Sequence, residues 1–219
     1  MYSLHLECIE IEVHPFPMKE VFDMLARLRD NWVYGGFLAG IMLLVLTPVL
    51  ASGWSWALTL IWLQLPAYMI HQFEEHDADR FRAFVNTVIG RGKEILTRMD
   101  VFIINIFGVW GVDVIAFLLA ARVHLGLGLI AVYLTLVNGI IHCLQGVALR
   151  RYNPGLATSI VIFLPLAVVT LWVLAGNAGV TATDHVIGLG LALLIHAAIV
   201  VRVIRHKRQL DRAGKTAQA

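Results

Sequence analysis

Apolar residues run through this chain in long blocks, without the alternation of a half-buried strand or the regular polar face of a soluble helix. Residues 33–52, 54–71, 101–121, 124–149, 156–176 and 185–204 are each mainly apolar and close to the ~20 residues that cross a bilayer. The pattern predicts an all-α fold, a polytopic membrane bundle of six transmembrane helices over residues 33–204. The second block has 18 residues before Gln72, and continuing its helix through His76 gives it ample length. Two further stretches are amphipathic. Met18, Val21, Phe22, Leu25, Leu28 and Trp32 recur at helical spacing, with Lys19, Glu20, Asp23, Arg27 and Asp30 on other faces, so residues 18–32 read as an interfacial helix leading into the first span. Within the loop 77–100, Phe81, Phe84, Val85, Val88 and Ile89 form a similar stripe that Gly90 and Gly92 close; a lid, a lipid anchor and a connector all fit it. Residues 1–17 alternate in places and then meet Pro15 and Pro17, which leaves a strand, a disordered leader and an overextended start equally open.

Composition agrees with this pattern: 59% of the 219 residues are hydrophobic and 15% charged, which excludes an ordinary soluble core. Charge then orients the bundle. Sixteen of the seventeen lysines and arginines fall on one side of the six spans, in the amino-terminal segment, the 77–100 loop, Arg150 and Arg151, and the basic tail 205–219. Arg122 alone falls on the other. The expected topology has both termini and the interfacial helices in the cytoplasm, with a bacterial inner membrane as the expected location. The basic residues sit beside spans and form no separate domain, so a nucleic-acid partner is not expected; the partner is the lipid bilayer. Cys8 and Cys143 suggest neither a disulfide framework nor a thiolate metal site. Glu7, Glu10 and Glu12 stand where a cleavable signal peptide would be basic and apolar.

The candidate chemistry lies where the second block meets polar residues, at His71-Gln72-Phe73-Glu74-Glu75-His76. On a helix, positions three and four residues on turn by about −60° and +40°, so Glu74 and Glu75 flank the direction of His71. Headgroup contact is the plain explanation of such a cluster and a shared site the sharper one. In the fourth block Asn138, His142 and Gln145 share one face, beside a stripe of small residues, Gly139, Cys143 and Gly146, that lets another helix approach. Interhelical hydrogen bonding alone would account for Asn138 and Gln145. At 1.5 Å per residue, His142 lies about 10 Å from the end of its span, His196 about 12 Å and Asn105 about 6 Å, while His71 lies about 26 Å from the opposite interface. These four can occupy one layer of the cytoplasmic leaflet. Asp113 falls about 18 Å deep, and a carboxylate there faces the bundle interior and is paired, hydrated or protonated.

His71-Gln72-Phe73-Glu74-Glu75 resembles the defining motif of the HXXEE-domain family of integral membrane proteins. Asn138-Gly139-Ile140-Ile141-His142 is similar to that family's NXXXH element and Tyr152-Asn153-Pro154-Gly155 to its YXPG element, in the same order. The resemblance implies a membrane protein with a catalytic or metal-binding site and no named reaction. Pro154-Gly155 independently suits the middle of a type II turn. Tyr152, beside Arg150 and Arg151, either points its hydroxyl towards the site or anchors the fourth helix.

One mechanism places a divalent metal, zinc or alternatively iron, on His71, Glu75 or Glu74, and His142, with the other glutamate as general base and an open position for water. His-x-x-Glu-Glu then parallels the inverted zincin pattern with Glu75 at the second ligand position, and His76 is an alternative ligand. The expected reaction is hydrolysis of a lipid-like or amphipathic substrate, with Asn105, Asp113, Asn138, Gln145, Tyr152 and His196 supporting the site or binding substrate. A dinuclear iron oxidase or hydroxylase, an ion- or proton-coupled transporter using Asp113 and the histidines, and a scaffold whose polar cluster only joins helices are the competing readings.

Overall fold

A computed structural model describes residues 18–177 and 179–216, and no strand occurs among the described residues. The leader 1–17 lies outside them. Among the described residues eight helical segments make up the fold: α1 (Met18–Leu50), α2 (Trp56–Trp62), α3 (Gln64–His76), α4 (Arg80–Phe84), α5 (Arg98–Arg122), α6 (Leu125–Leu149), α7 (Leu156–Ala175) and α8 (Ala182–Thr216). Among the described residues α1, α5, α6, α7 and α8 are long and apolar enough to cross a membrane. Their outward faces carry large apolar side chains, such as Leu38, Val45, Leu118, Trp172 and Leu194, as helices solvated by lipid require.

The second apolar block is helical too, but in two pieces. Pro66 has no N–H to give the carbonyl four residues back at Trp62, and α2 ends there. Helical hydrogen bonds resume across Leu63, from its own N–H to Thr59 O (3.0 Å) and to its carbonyl from Ala67 N (3.1 Å). The polar residues between His71 and His76 therefore occupy the last two turns of α3. Residues 18–32 are continuous with the first span as one 33-residue helix, because nothing between Met18 and Trp32 breaks the helical register. At the other end α8 runs helically beyond residue 204 as far as Thr216.

Packing brings α1 along α3, α8 along α6, and α7 against α6. Apolar layers bracket the polar cluster along the bundle. Ala57, Ile61, Ala120, Leu129, Val132 and Ala167 fill the end away from it, Tyr68, Val109, Leu134 and Phe163 the middle, and Val85, Ile95, Leu96 and Val101 cap the near end. The near cap is tied down by side-chain to backbone bonds. Asn86 both accepts from Leu96 N and donates to Leu96 O, each at 2.9 Å, and Thr97 and Asp100 form a capping box that starts α5. Arg202 of α8 reaches Asp100 at 3.0 Å. The chain leaves α3 through a sharp corner in which Ala78 (φ 50°) and Asp79 (φ 63°) are both left-handed, and this turns α4 back beneath the cluster.

Gly188 of α8 marks the closest backbone approach to α6, since a Cβ there would stand 2.9 Å from the Leu129 backbone. Gly190, two residues on, faces open space. Gly188→Ala is therefore expected to lower stability by about 1–3 kcal/mol, read as a fall in the melting temperature in detergent. Gly190→Ala is expected to be neutral or mildly stabilising, and equal losses for both would contradict this packing.

Candidate metal centre

Five polar residues near the end of α3, His71, Gln72, Glu74, Glu75 and His76, divide four tasks among them. His71 and Glu75, one turn apart, point into the bundle and are buried. Opposite them on α6 stands His142, also buried. The Glu75 carboxylate lies between the two rings, with Oε2 3.6 Å from His71 Nε2 and Oε1 3.5 Å from His142 Nε2. One ligand atom from each of the three lies within 4.8 Å of the others, so this group could hold a metal ion. A tetrahedral ion with bonds of ~2.0 Å needs ligand atoms roughly 3.3 Å apart, so an ion at this point would draw the three groups, whose ligand atoms lie within 4.8 Å, closer together.

The far sides of both rings decide what the near sides present. His71 Nδ1 is 2.8 Å from Thr158 Oγ1. The one hydroxyl proton of Thr158 is directed at Glu74 Oε2, 2.5 Å away, so the hydroxyl accepts from His71 and the ring proton sits on Nδ1. Asn153 fixes the second ring in the same way. Its Nδ2 donates to His142 O (2.9 Å), which assigns the amide, and its Oδ1 accepts from His142 Nδ1–H at 2.7 Å. Both neutral imidazoles then turn an Nε2 lone pair towards a carboxylate. Three electron-rich groups in a buried space require positive charge among them, from protons on Nε2 or from a cation.

Glu74 is used differently. It accepts from Tyr152 OH (2.5 Å), Ala157 N (3.0 Å), Thr158 N (2.7 Å) and Thr158 Oγ1, and so fills its acceptor positions with the first turn of α7 and the tyrosine that precedes it. A carboxylate is favoured there by the free amide groups and the dipole of a helix start. Gln72 takes the third task. Its Nε2 donates to Asn105 Oδ1 at 2.8 Å and its Oε1 accepts from Trp110 Nε1 at 2.5 Å. His76, at the end of α3, places Nε2 3.2 Å from Glu75 Oε2 and packs its ring against Trp32 and Phe81.

Two π-helical turns build these contacts. One covers Ile106–Trp110 in α5 and the other Ser159–Phe163 in α7. A π-turn stacks residues five apart, which an α-helix would place well round the rod. Asn105 and Trp110 are five apart and both bond Gln72. Thr158 and Phe163 are also five apart, and both meet His71, Thr158 at Nδ1 and Phe163 against the ring face, with centroids 4.1 Å apart. Pro165 supplies a local cause for the second, since its missing N–H leaves the carbonyl of Val161 without its α-helical donor.

The Tyr152–Gly155 turn closes the site from above. Leu156 N donates to Asn153 O at 3.1 Å and Gly155 has φ 97°, the type II turn expected from the sequence. A Cβ on Gly155 would stand 2.7 Å from His142 Cε1 and 2.9 Å from His71 Cε1. Glycine is therefore required both for the turn and for its contact with the two rings. Tyr152, Asn153 and Gly155 of this turn thus touch the cluster or its supports.

The other residues singled out from sequence stand further off. Asn105, Asn138, Gln145 and His196 line a cavity of about 330 Å³ together with Glu75, His76 and His142 and with apolar side chains from residues 81–89, α5, α6 and α8. His196 Nδ1 donates to Ala192 O at 2.8 Å, while Asn138 Oδ1 and Gln145 Oε1 have no partner among the described residues. Asp113 is buried with both carboxyl oxygens unpartnered and belongs to a different level of the bundle, beside Tyr68. Sequence reasoning missed Thr158, Asn153 and Gln72. Thr158 was detectable as a polar residue three positions after the turn glycine, where the first turn of a helix often receives an acceptor; Asn153 carried no separate signal.

Burial and the neighbouring Glu74 carboxylate push the Tyr152 phenol up to about 12. Its hydrogen bond is thus fully present below about pH 10, the ordinary tyrosine value, and is lost as the pH rises through about 12. The difference in tyrosinate absorbance between wild type and Tyr152→Phe is expected to appear only near the upper value. A difference centred near pH 10 would contradict the Tyr152–Glu74 contact.

Residues 62–170 match the model of a family described as protein of unknown function with HXXEE motif. No curated protein and no solved structure matches the chain. The matched stretch holds His71, Glu75 and His142 together with Asn153 and Thr158, which orient the rings, and with the YXPG turn that covers them; the chain belongs to the HXXEE family.

Proposed function

We propose that this integral membrane protein is a metal-dependent hydrolase of a lipid-like or amphipathic substrate, with zinc as the first candidate ion and iron the second. The observation that carries this reading is the meeting of two imidazoles, each with its Nδ1 proton committed elsewhere, on the single carboxylate of Glu75. Two nitrogens and one oxygen with room for a fourth position is the donor set of catalytic zinc sites. When bound, the ion would supply Lewis acidity to a scissile carbonyl or phosphoryl oxygen.

The chain's own residues supply the remainder. Thr158 and Asn153 hold the ring tautomers, and Glu74, saturated by the start of α7, positions Thr158 and takes no proton from substrate. His76 Nε2, beside Glu75 and lining the cavity, is the group placed to take a proton from the attacking water and pass it to the leaving group. Phe163 and Tyr68 close the inner side and exclude water. The apolar walls of the cavity support an amphipathic substrate. The distribution of lysine and arginine supports cytoplasmic termini and a site in the cytoplasmic leaflet, consistent with a bacterial inner membrane. A dinuclear iron site is less well supported, because the hydrogen bonds to Glu74 leave too few free ligands for a second ion.

Asp113 favours a second reading, an ion- or proton-coupled transporter, because a fully buried carboxyl without a partner marks a group that binds protons or cations in many membrane proteins. Proton flux into proteoliposomes that Asp113→Asn abolishes would establish that reading in place of the first.

Purified wild type is expected to carry one equivalent of divalent metal, which His71→Ala and His142→Ala lose while remaining helical. Thr158→Val and Asn153→Leu are expected to weaken metal affinity about 10–100-fold, as losses of ligand-orienting bonds do elsewhere. Elemental analysis and competition with a chelator measure both. Folded wild type that neither carries nor takes up metal overturns the proposal.

A further inference from the structure

The cavity beside Glu75 has a mostly apolar wall, and its exposed lining residues lie on the side of the bundle. Ile89 of the π-turn that follows α4, with Val200 and Ile204 of α8, lines the cavity and yet is 41%, 53% and 43% exposed, respectively. A wall residue that is also exposed marks the rim. The rim therefore lies between the α4 segment and α8, a helix long and apolar enough to span the membrane, so the opening faces lipid. The volume is about 330 Å³. At roughly 30 Å³ for a water-sized group, this holds a chain of about eleven such groups and excludes the paired chains of a diacyl lipid.

A second cleft, about 290 Å³ and lined by Arg29, Asp30, Tyr34, Asp79 and Arg98, lies on the other side of His76. His76 and Val101 belong to both walls. A molecule lying through the two spaces would have its apolar part in the cavity, its polar end among the charged groups, and its junction beside His76 and Glu75. We infer that the ligand is a single-chain amphiphile that enters sideways from the bilayer between the α4 segment and α8. The assignment of its junction to the reacting bond rests on the hydrolase reading; the chain-binding cavity and its lateral mouth do not.

The test uses the full chain in phospholipid vesicles with a fatty acid of about twelve carbons carrying a terminal diazirine, and in parallel a diacyl phospholipid bearing the same group. On illumination the fatty acid is expected to label the inward faces of 134–145 and 195–204, and excess unlabelled fatty acid to suppress this. Ile199→Trp and Val203→Trp, which fill the cavity at separate points, are each expected to cut it about tenfold. The diacyl probe is expected to label only outward residues. Labelling that neither variant nor competitor reduces, or equal labelling of the cavity by the diacyl probe, overturns the inference. His142→Ala separates the two proposals. Cavity labelling in a wild type without metal would refute the hydrolase reading alone, whereas metal lost in His142→Ala with no cavity labelling in wild type would refute this inference alone.

Discussion

The structure turns on a carboxylate held between two imidazole lone pairs. Glu75 cannot move away, since it is buried on α3, and neither ring can rotate to offer a proton without abandoning a hydrogen bond on its far side. Positive charge at this point relieves the repulsion, and a divalent ion relieves it for three ligands at once. Desolvating such groups without compensation would cost several kcal/mol. The surrounding elements are arranged so that the cost falls on one point. Thr158 and Glu74 tie α3 to the start of α7, Asn153 ties the following turn to α6, and Gln72 ties α3 to α5.

Those ties also explain the irregular helices. A straight α-helix would turn either Asn105 or Trp110 away from Gln72, and either Thr158 or Phe163 away from His71. The two π-turns bring both members of each pair to bear on neighbouring residues of α3. An α-helical ideal is given up at both of these π-turns, and each lies within a helix that touches the cluster or its supports. On the side away from the ring supports the same cluster opens into the cavity, whose wall is mostly apolar.

Much of this was legible in the sequence, because membrane helices make depth a coordinate. Counting residues from the ends of spans put His71 and His142 in one layer, and the structure brings these two together with Glu75. The same count placed His196 at that level, yet it lines the cavity wall with its Nδ1 proton given to its own helix. The division of labour between Glu74 and Glu75 was not legible. On a helical wheel they flank His71 almost equally, and what separates them is the amino-terminal turn of α7, more than eighty residues later in the chain. Nor could a spacing of five announce a shared face, since that spacing has meaning only after the π-turn has formed. The YXPG element was legible as a turn; that its glycine fits against two histidine rings depends on tertiary approach.

The central claim is that His71, Glu75 and His142 are ligands to one ion, and X-ray absorption at the metal edge of the zinc-loaded protein tests it most directly. The expected spectrum shows a first shell of nitrogen and oxygen near 2.0 Å, typical of zinc, with outer-shell scattering from two imidazoles that falls to one in His142→Ala if zinc is retained at high concentration. A spectrum without imidazole scattering, or one unchanged by that substitution, would contradict the account.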